Sequence, residues 1–138
     1  MAYSHAIVRR SFLLIVPVLA IVLIAAACGG SSNANSSSSK TVNVSEKEWS
    51  ITVSGTTMTK GQGDVTIPTG SVTFDVKNDG TVDHAFEIQG NGIDQKTQDI
   101  APGKSTTLKV SLTAGKYEVY CPVPGHKALG MDGYVTAS

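Results

Sequence analysis

The sequence predicts an all-β domain, a Greek-key β-sandwich of about seven or eight strands over residues 41–138. Three observations carry this expectation. Apolar and polar residues alternate with period two from Thr41 onward, Gly, Pro and Asn turn signals separate the runs at short intervals, and no stretch past residue 40 has a helical period. Composition points the same way, since only 16% of residues are charged, 6% are aromatic and 14 are glycine.

The runs follow one another in order. Val42 and Val44 alternate with polar neighbours, as do Trp49, Ile51 and Val53. Ser71–Asn78 places Val72, Phe74, Val76 and Asn78 on one face. In the run 84–88, His84, Phe86 and Ile88 share a face, with Ala85 and Glu87 opposite. Leu108, Val110 and Leu112 form another inward row. Tyr117, Val119 and Cys121 point one way, Glu118 and Tyr120 the other, and a last run lies near 132–137. Between them stand Gly61-Gln62-Gly63, Pro68-Thr69-Gly70, Asn78-Asp79-Gly80, Asn91-Gly92, Pro102-Gly103 and Ala114-Gly115. Strict alternation of this kind reads as half-buried antiparallel strands.

Ahead of the domain, Arg9 and Arg10 precede an apolar run from Ser11 to Ala27 that only Pro17 interrupts. A basic start, an apolar middle and a small-residue end make residues 1–27 an export signal. The same run is long enough for an uncleaved transmembrane anchor, which is the rival reading. Ala25-Ala26-Ala27-Cys28 resembles the lipobox of bacterial lipoproteins, which implies a cleaved signal and a lipidated Cys28, although Ala25 stands where that family usually has Leu. The plain alternatives for Cys28 are a leftover thiol and a partner for Cys121. Arg9-Arg10-Ser11-Phe12-Leu13 resembles the twin-arginine export motif, so both export routes stay open. Residues 28–40 are then the lipidated Cys and a Gly/Ser/Asn-rich flexible linker. The expected location is the outer face of the cytoplasmic membrane, by lipid anchor, or the periplasm.

Charge and cysteine usage exclude several functions. The chain has 11 basic and 11 acidic residues, and 41–138 alone carries eight Lys, no Arg and eleven acids, so no basic surface awaits nucleic acid. Two cysteines outside any C-x-x-C pattern exclude a disulfide scaffold, a zinc ribbon and covalent haem.

Taken singly, an inward His84 is a packed core histidine and an inward Cys121 a small hydrophobe. The run from Cys121 to Met131 changes that balance. It is a C-x4-H-x4-M connection stiffened by Pro122 and Pro124, and it places a thiol, an imidazole and a thioether on one loop. His84 can add a second imidazole. Two histidines, a cysteine and a weak axial methionine make the blue-copper donor set, and zinc has no redox use for the methionine.

Asn78-Asp79-Gly80 through His84, Gly115-Lys116-Tyr117 and the Cys121–Met131 loop resemble the cupredoxins, the small type 1 blue copper proteins. Both loop spacings are most similar to those of auracyanin. The resemblance implies a cupredoxin-like β-sandwich, a single copper ion cycling between Cu(I) and Cu(II), and the metal ligands His84, Cys121, His126 and axial Met131. It also implies single-electron transfer rather than catalysis. Where many relatives have an Asn that fixes the Cys-bearing loop, this chain has Ala85, and the inward Asn78 is expected to take over. Pro122, Val123, Pro124, Ala128 and Leu129 form a small apolar patch around His126, suited to brief docking of redox protein partners by a monomer. Multicopper oxidases and copper nitrite reductases share the loop spacing, but a His directly follows their Cys. Here that residue is Pro122, and no further His cluster exists. A Cys121–His126 nucleophile pair lacks a third group to orient the imidazole. The remaining alternative is a periplasmic copper carrier or sensor without electron transfer.

Overall fold

The computed structural model describes residues 39–138. The export segment 1–27, Cys28 and the linker up to residue 38 lie outside the described residues. Among the described residues, ten strands form two five-stranded sheets. They are β1 (Lys40–Lys47), β2 (Ser50–Val53), β3 (Thr56–Met58), β4 (Asp64–Ile67), β5 (Gly70–Asn78), β6 (Glu87–Gly90), β7 (Ile93–Lys96), β8 (Ser105–Leu112), β9 (Gly115–Tyr120) and β10 (Asp132–Ala137). One sheet runs β3-β2-β1-β5-β8 and the other β4-β10-β9-β6-β7. The architecture is the expected β-sandwich, with more strands than the seven or eight expected. The additional ones, β3, β4 and β7, have only three or four residues, too few for alternation to register.

Not every pairing is antiparallel, as alternation alone implied. β1 pairs with β5 in parallel, and β4 pairs with β10 in parallel. Residues 48–69 leave β1, form the β2–β3 hairpin and cross to the second sheet before β5 returns beside β1. Such a crossover is long enough to bring two strands together in the same direction.

The core lies between the sheets. Val42, Val44, Ile51, Val53, Val72, Phe74 and Val76 from the first sheet are buried with Ile88, Tyr117, Val119 and Val135 from the second. Phe74 and Phe86 meet across it with centroids 5.1 Å apart, within the range of favourable aromatic pairs. Two parity expectations fail. Alternation groups Trp49 with Ile51 and Val53, yet it stands in the β1–β2 turn, 39% exposed. Ala85 and Glu87 are buried together with His84, Phe86 and Ile88, because β6 proper begins only at Glu87 and the preceding segment is irregular.

Candidate metal centre

Three connections meet at one end of the sandwich. His84 lies on the β5–β6 connection, where its N–H donates to Ile100 O at 3.2 Å and its carbonyl accepts from Ile100 N at 2.7 Å. Cys121 follows the last residue of β9 and continues its inward row behind Tyr117 and Val119. His126 opens α1 (His126–Leu129), a single helical turn between Gly125 and Gly130, both left-handed at φ 87° and 117°. L-residues with a side chain are strained in that region, so the two glycines allow the chain to turn in and out of α1 within five residues.

The donor atoms converge. Cys121 Sγ lies 3.4 Å from His126 Nδ1 and 3.9 Å from His84 Nδ1, and the two Nδ1 atoms are 3.2 Å apart. All three ligand atoms fall within 4.8 Å of one another. His84 and Cys121 are fully buried, whereas His126 is half-buried. Met131 is fully buried at the far end of the loop, where Cys121 N donates to its carbonyl at 3.0 Å and its own N donates to His126 O at 3.1 Å. His84, Cys121 and His126, spread over 42 positions of the chain, are thereby gathered at one place, and the backbone of Met131 is bonded to two of them.

Burial sets the protonation of the buried pair. It pushes the Cys121 thiol up to about 11, against the opposing hydrogen bond from Ala85 N at 3.4 Å. His84 is held below its usual range by burial first and by the neighbouring His126 second. Two nitrogens and one sulfur in a mostly buried cluster suit a soft transition metal better than a hard, oxygen-seeking one. The residues therefore fit a copper ion.

Asn78 is also buried, but its bonds run elsewhere than expected. Its Nδ2 donates to Val82 O and Ile100 O, both at 2.7 Å, and its Oδ1 accepts from Gly80 N at 2.8 Å. These bonds tie down the segment that carries His84, through Val82 and through the Ile100 bridge, and none reaches the Cys121–Met131 loop. Of the apolar patch, Pro124, Ala128 and Leu129 are exposed, with Leu129 at 48%, while Pro122 and Val123 are half-buried and Val123 packs on the core.

Three residues near the centre escaped sequence reading. Trp49 sets its ring edge-on to His126, centroids 5.1 Å apart and planes at 77°. Glu48, the residue before it, has Oε1 3.7 Å from His84 Nε2. Glu46 is fully buried at the end of β1, and neither carboxyl oxygen has a hydrogen-bond partner. Burial raises its pKa to about 9, so it is neutral at pH 7. An acid on the inward parity of β1, in line with Val42 and Val44, was the signal for Glu46. For Glu48 and Trp49 the sequence offers none, because a turn obeys no parity.

Residues 18–131 match the family model described as a cupredoxin-like domain. The chain is similar in structure to reduced auracyanin from Roseiflexus castenholzii, at 22% identity and a TM-score of 0.57, over 72% of this chain and 98% of that one. It is also similar to rusticyanin from Thiobacillus ferrooxidans, at 25% identity and a TM-score of 0.55, over 73% of this chain and 79% of that one. A multi-copper oxidase from Pediococcus acidilactici is similar at 18% identity and a TM-score of 0.51, over 72% of this chain but only 26% of that one. No curated protein matches the chain in sequence.

Proposed function

Because the chain belongs to the cupredoxin-like family, we propose that it is a single-electron carrier built around one copper ion. The observation that supports this reading is the convergence of His84 Nδ1, Cys121 Sγ and His126 Nδ1 within 4.8 Å. In this proposal those three residues would hold the metal, with Met131 as a fourth, weaker donor. A bound copper ion would supply reversible one-electron exchange between Cu(II) and Cu(I).

The protein's part is to keep that exchange fast and contained. His84 is held by its bridge to Ile100 and by the bonds of Asn78, and Cys121 by its backbone bond to Met131, so their donor atoms need not move when the charge changes. The buried core excludes water from the sulfur. His126, half-buried on α1, is the ligand nearest the surface. Trp49, Val82 and Leu129 are the three large apolar side chains exposed among the described residues. Trp49 and Leu129 flank His126 in space or in sequence, and Val82 lies two residues from His84. We take them, with Pro124 and Ala128, as the face that docks briefly against redox proteins. Pro122 and Val123 serve to brace the loop beneath.

We further propose that Cys28 is lipidated and that the linker within residues 28–40 tethers the domain outside the cytoplasmic membrane, on the strength of the Ala25–Cys28 pattern. In detergent phase separation the wild-type protein then enters the detergent phase and Cys28→Ala, if exported, stays in the aqueous phase. Film voltammetry of the full chain tests the carrier reading. Repeated one-electron cycling without loss of metal supports it, and metal loss on each reduction favours a copper-delivery module instead.

A further inference from the structure

We propose that Glu48 is a positioning residue for His84 and that its carboxylate holds down the reduction potential of the centre. The inference rests on the copper reading above and adds a residue that neither of the metal-binding segments contains.

His84 uses Nδ1 toward Cys121 and His126, which leaves Nε2 facing away from the cluster. That nitrogen is buried and has no hydrogen-bond partner. The oxygen that stands nearest as a charge partner is Glu48 Oε1, at 3.7 Å. At this separation the contact is longer than a hydrogen bond, so it acts as a negative charge placed on the ring's N–H dipole.

The carboxylate is held in place for this role. Oε1 accepts from Thr81 N at 2.5 Å, Thr81 Oγ1 at 3.1 Å and Val82 N at 3.2 Å, so the connection that leads to His84 grips it three times. From the other side, the β1–β2 turn is pinned by Thr59 Oγ1, which donates to Trp49 O at 3.0 Å. Gly80 leaves the needed room. A Cβ there would come within 2.6 Å of Glu48 Oε1 and 2.8 Å of His84 Nε2, closer than side chains tolerate, so any larger residue would push the two apart. One turn thus brings its carboxylate to one imidazole and its indole to the other.

A fixed negative charge behind a ligand favours the more positive metal state. Removing it as Glu48→Gln is expected to shift the ratio of Cu(I) to Cu(II) affinity toward Cu(I) by about tenfold, since the charge acts on the metal through the ring, from farther away than this contact, in a medium between water and dry protein. For a one-electron couple that ratio is a rise in potential of about 59 mV.

The test uses the full chain as wild type, Glu48→Gln and Glu48→Asp. In the expected result all three have the same intense blue band, the potential rises in Glu48→Gln and it returns toward wild type in Glu48→Asp. An unchanged potential in a Glu48→Gln protein with an intact blue band overturns the proposal. A second measurement needs neither variant nor metal. Nitrogen-15 NMR of the metal-free wild type should find the His84 ring protonated at Nε2, facing Glu48, and a ring protonated at Nδ1 would overturn the proposal as well. Should wild type itself take up copper without colour, the carrier reading fails instead, and the two failures are distinguishable.

Discussion

The backbone N–H of Cys121 donates to the carbonyl oxygen of Met131 at 3.0 Å, closing the C-terminal ligand loop at its neck. The eleven residues 121–131 are thereby held as one unit between β9 and β10, with His126 at its outer end. Lys127 fastens the outside of the unit, 2.8 Å from Glu118 and 4.0 Å over the Tyr120 ring. Such surface contacts contribute little to stability, so the neck and the buried ligands define the geometry.

Copper uptake should depend on pH through Cys121. The metal-free thiol is pushed to about 11 by burial, so it is protonated at neutral pH, and binding as thiolate must release that proton. His84, held neutral by burial, has no proton to give up there. Apparent affinity therefore rises about tenfold per pH unit from about pH 7 to about pH 10. Competition against a chelator of known affinity, repeated across pH, measures the slope. A flat profile would mean that the thiolate is already formed.

Replacing Asn78 with Ala should loosen the His84 side of the centre. The change takes the side-chain partner from the part-buried Val82 O and Gly80 N and leaves Ile100 O with only its bond from His84 N, and a buried group left without a partner costs about 1–3 kcal/mol. Loss of such an outer support typically lowers metal affinity by about 10- to 100-fold. Urea unfolding and copper competition read the two effects. An unaltered affinity would remove Asn78 from the account of the site.

Glu46 makes a prediction about stability that does not involve the metal. Its folded pKa of about 9 lies above its unfolded value of 4.5, so the folded state binds the extra proton between those two pH values. Stability is therefore highest, for this group, below pH 4.5 and declines as pH rises toward about 9, by about 1.4 kcal/mol per unit. Glu46→Gln, which cannot ionise, should be more stable than wild type at neutral pH by about 3 kcal/mol, with the gap widening as pH rises. Chemical unfolding of both proteins at several pH values checks the sign and the slope.

The exposed apolar face should govern how fast the centre trades electrons. Leu129→Lys places a charge where two docked faces meet. Electron self-exchange between reduced and oxidised protein should slow by about tenfold or more, since like charges across an interface cost several kcal/mol, while the optical spectrum stays unchanged. Line broadening in NMR of partly oxidised samples measures the rate. An unchanged rate would move the docking face away from Leu129.

Much of the arrangement was legible in the residues because strands have parity. Cys121 is inward since it continues the row of Tyr117 and Val119, and the burial of Asn78 follows from Val72, Phe74 and Val76 in the same way. The spacing of the Cys121–Met131 run located one wall of the centre. What parity could not reach was set by turns and crossovers. Trp49 and Glu48 sit in a turn, where no period fixes direction, and their meeting with His126 and His84 depends on β1 lying beside β5. That parallel pairing is a tertiary fact, dictated by a crossover of residues 48–69 and invisible to any local pattern. The short strands β3, β4 and β7 were missed for the related reason that three or four residues hold too few alternations.

The most direct measurement is a visible absorption spectrum of the full chain titrated with Cu(II), taken before and after ascorbate and again on reoxidation, beside Cys121→Ser. The expected result is an intense blue band that saturates at one copper per chain, bleaches on reduction, returns on oxidation and is missing from Cys121→Ser. A colourless or faintly coloured wild-type protein, or a blue band that survives in Cys121→Ser, would contradict it.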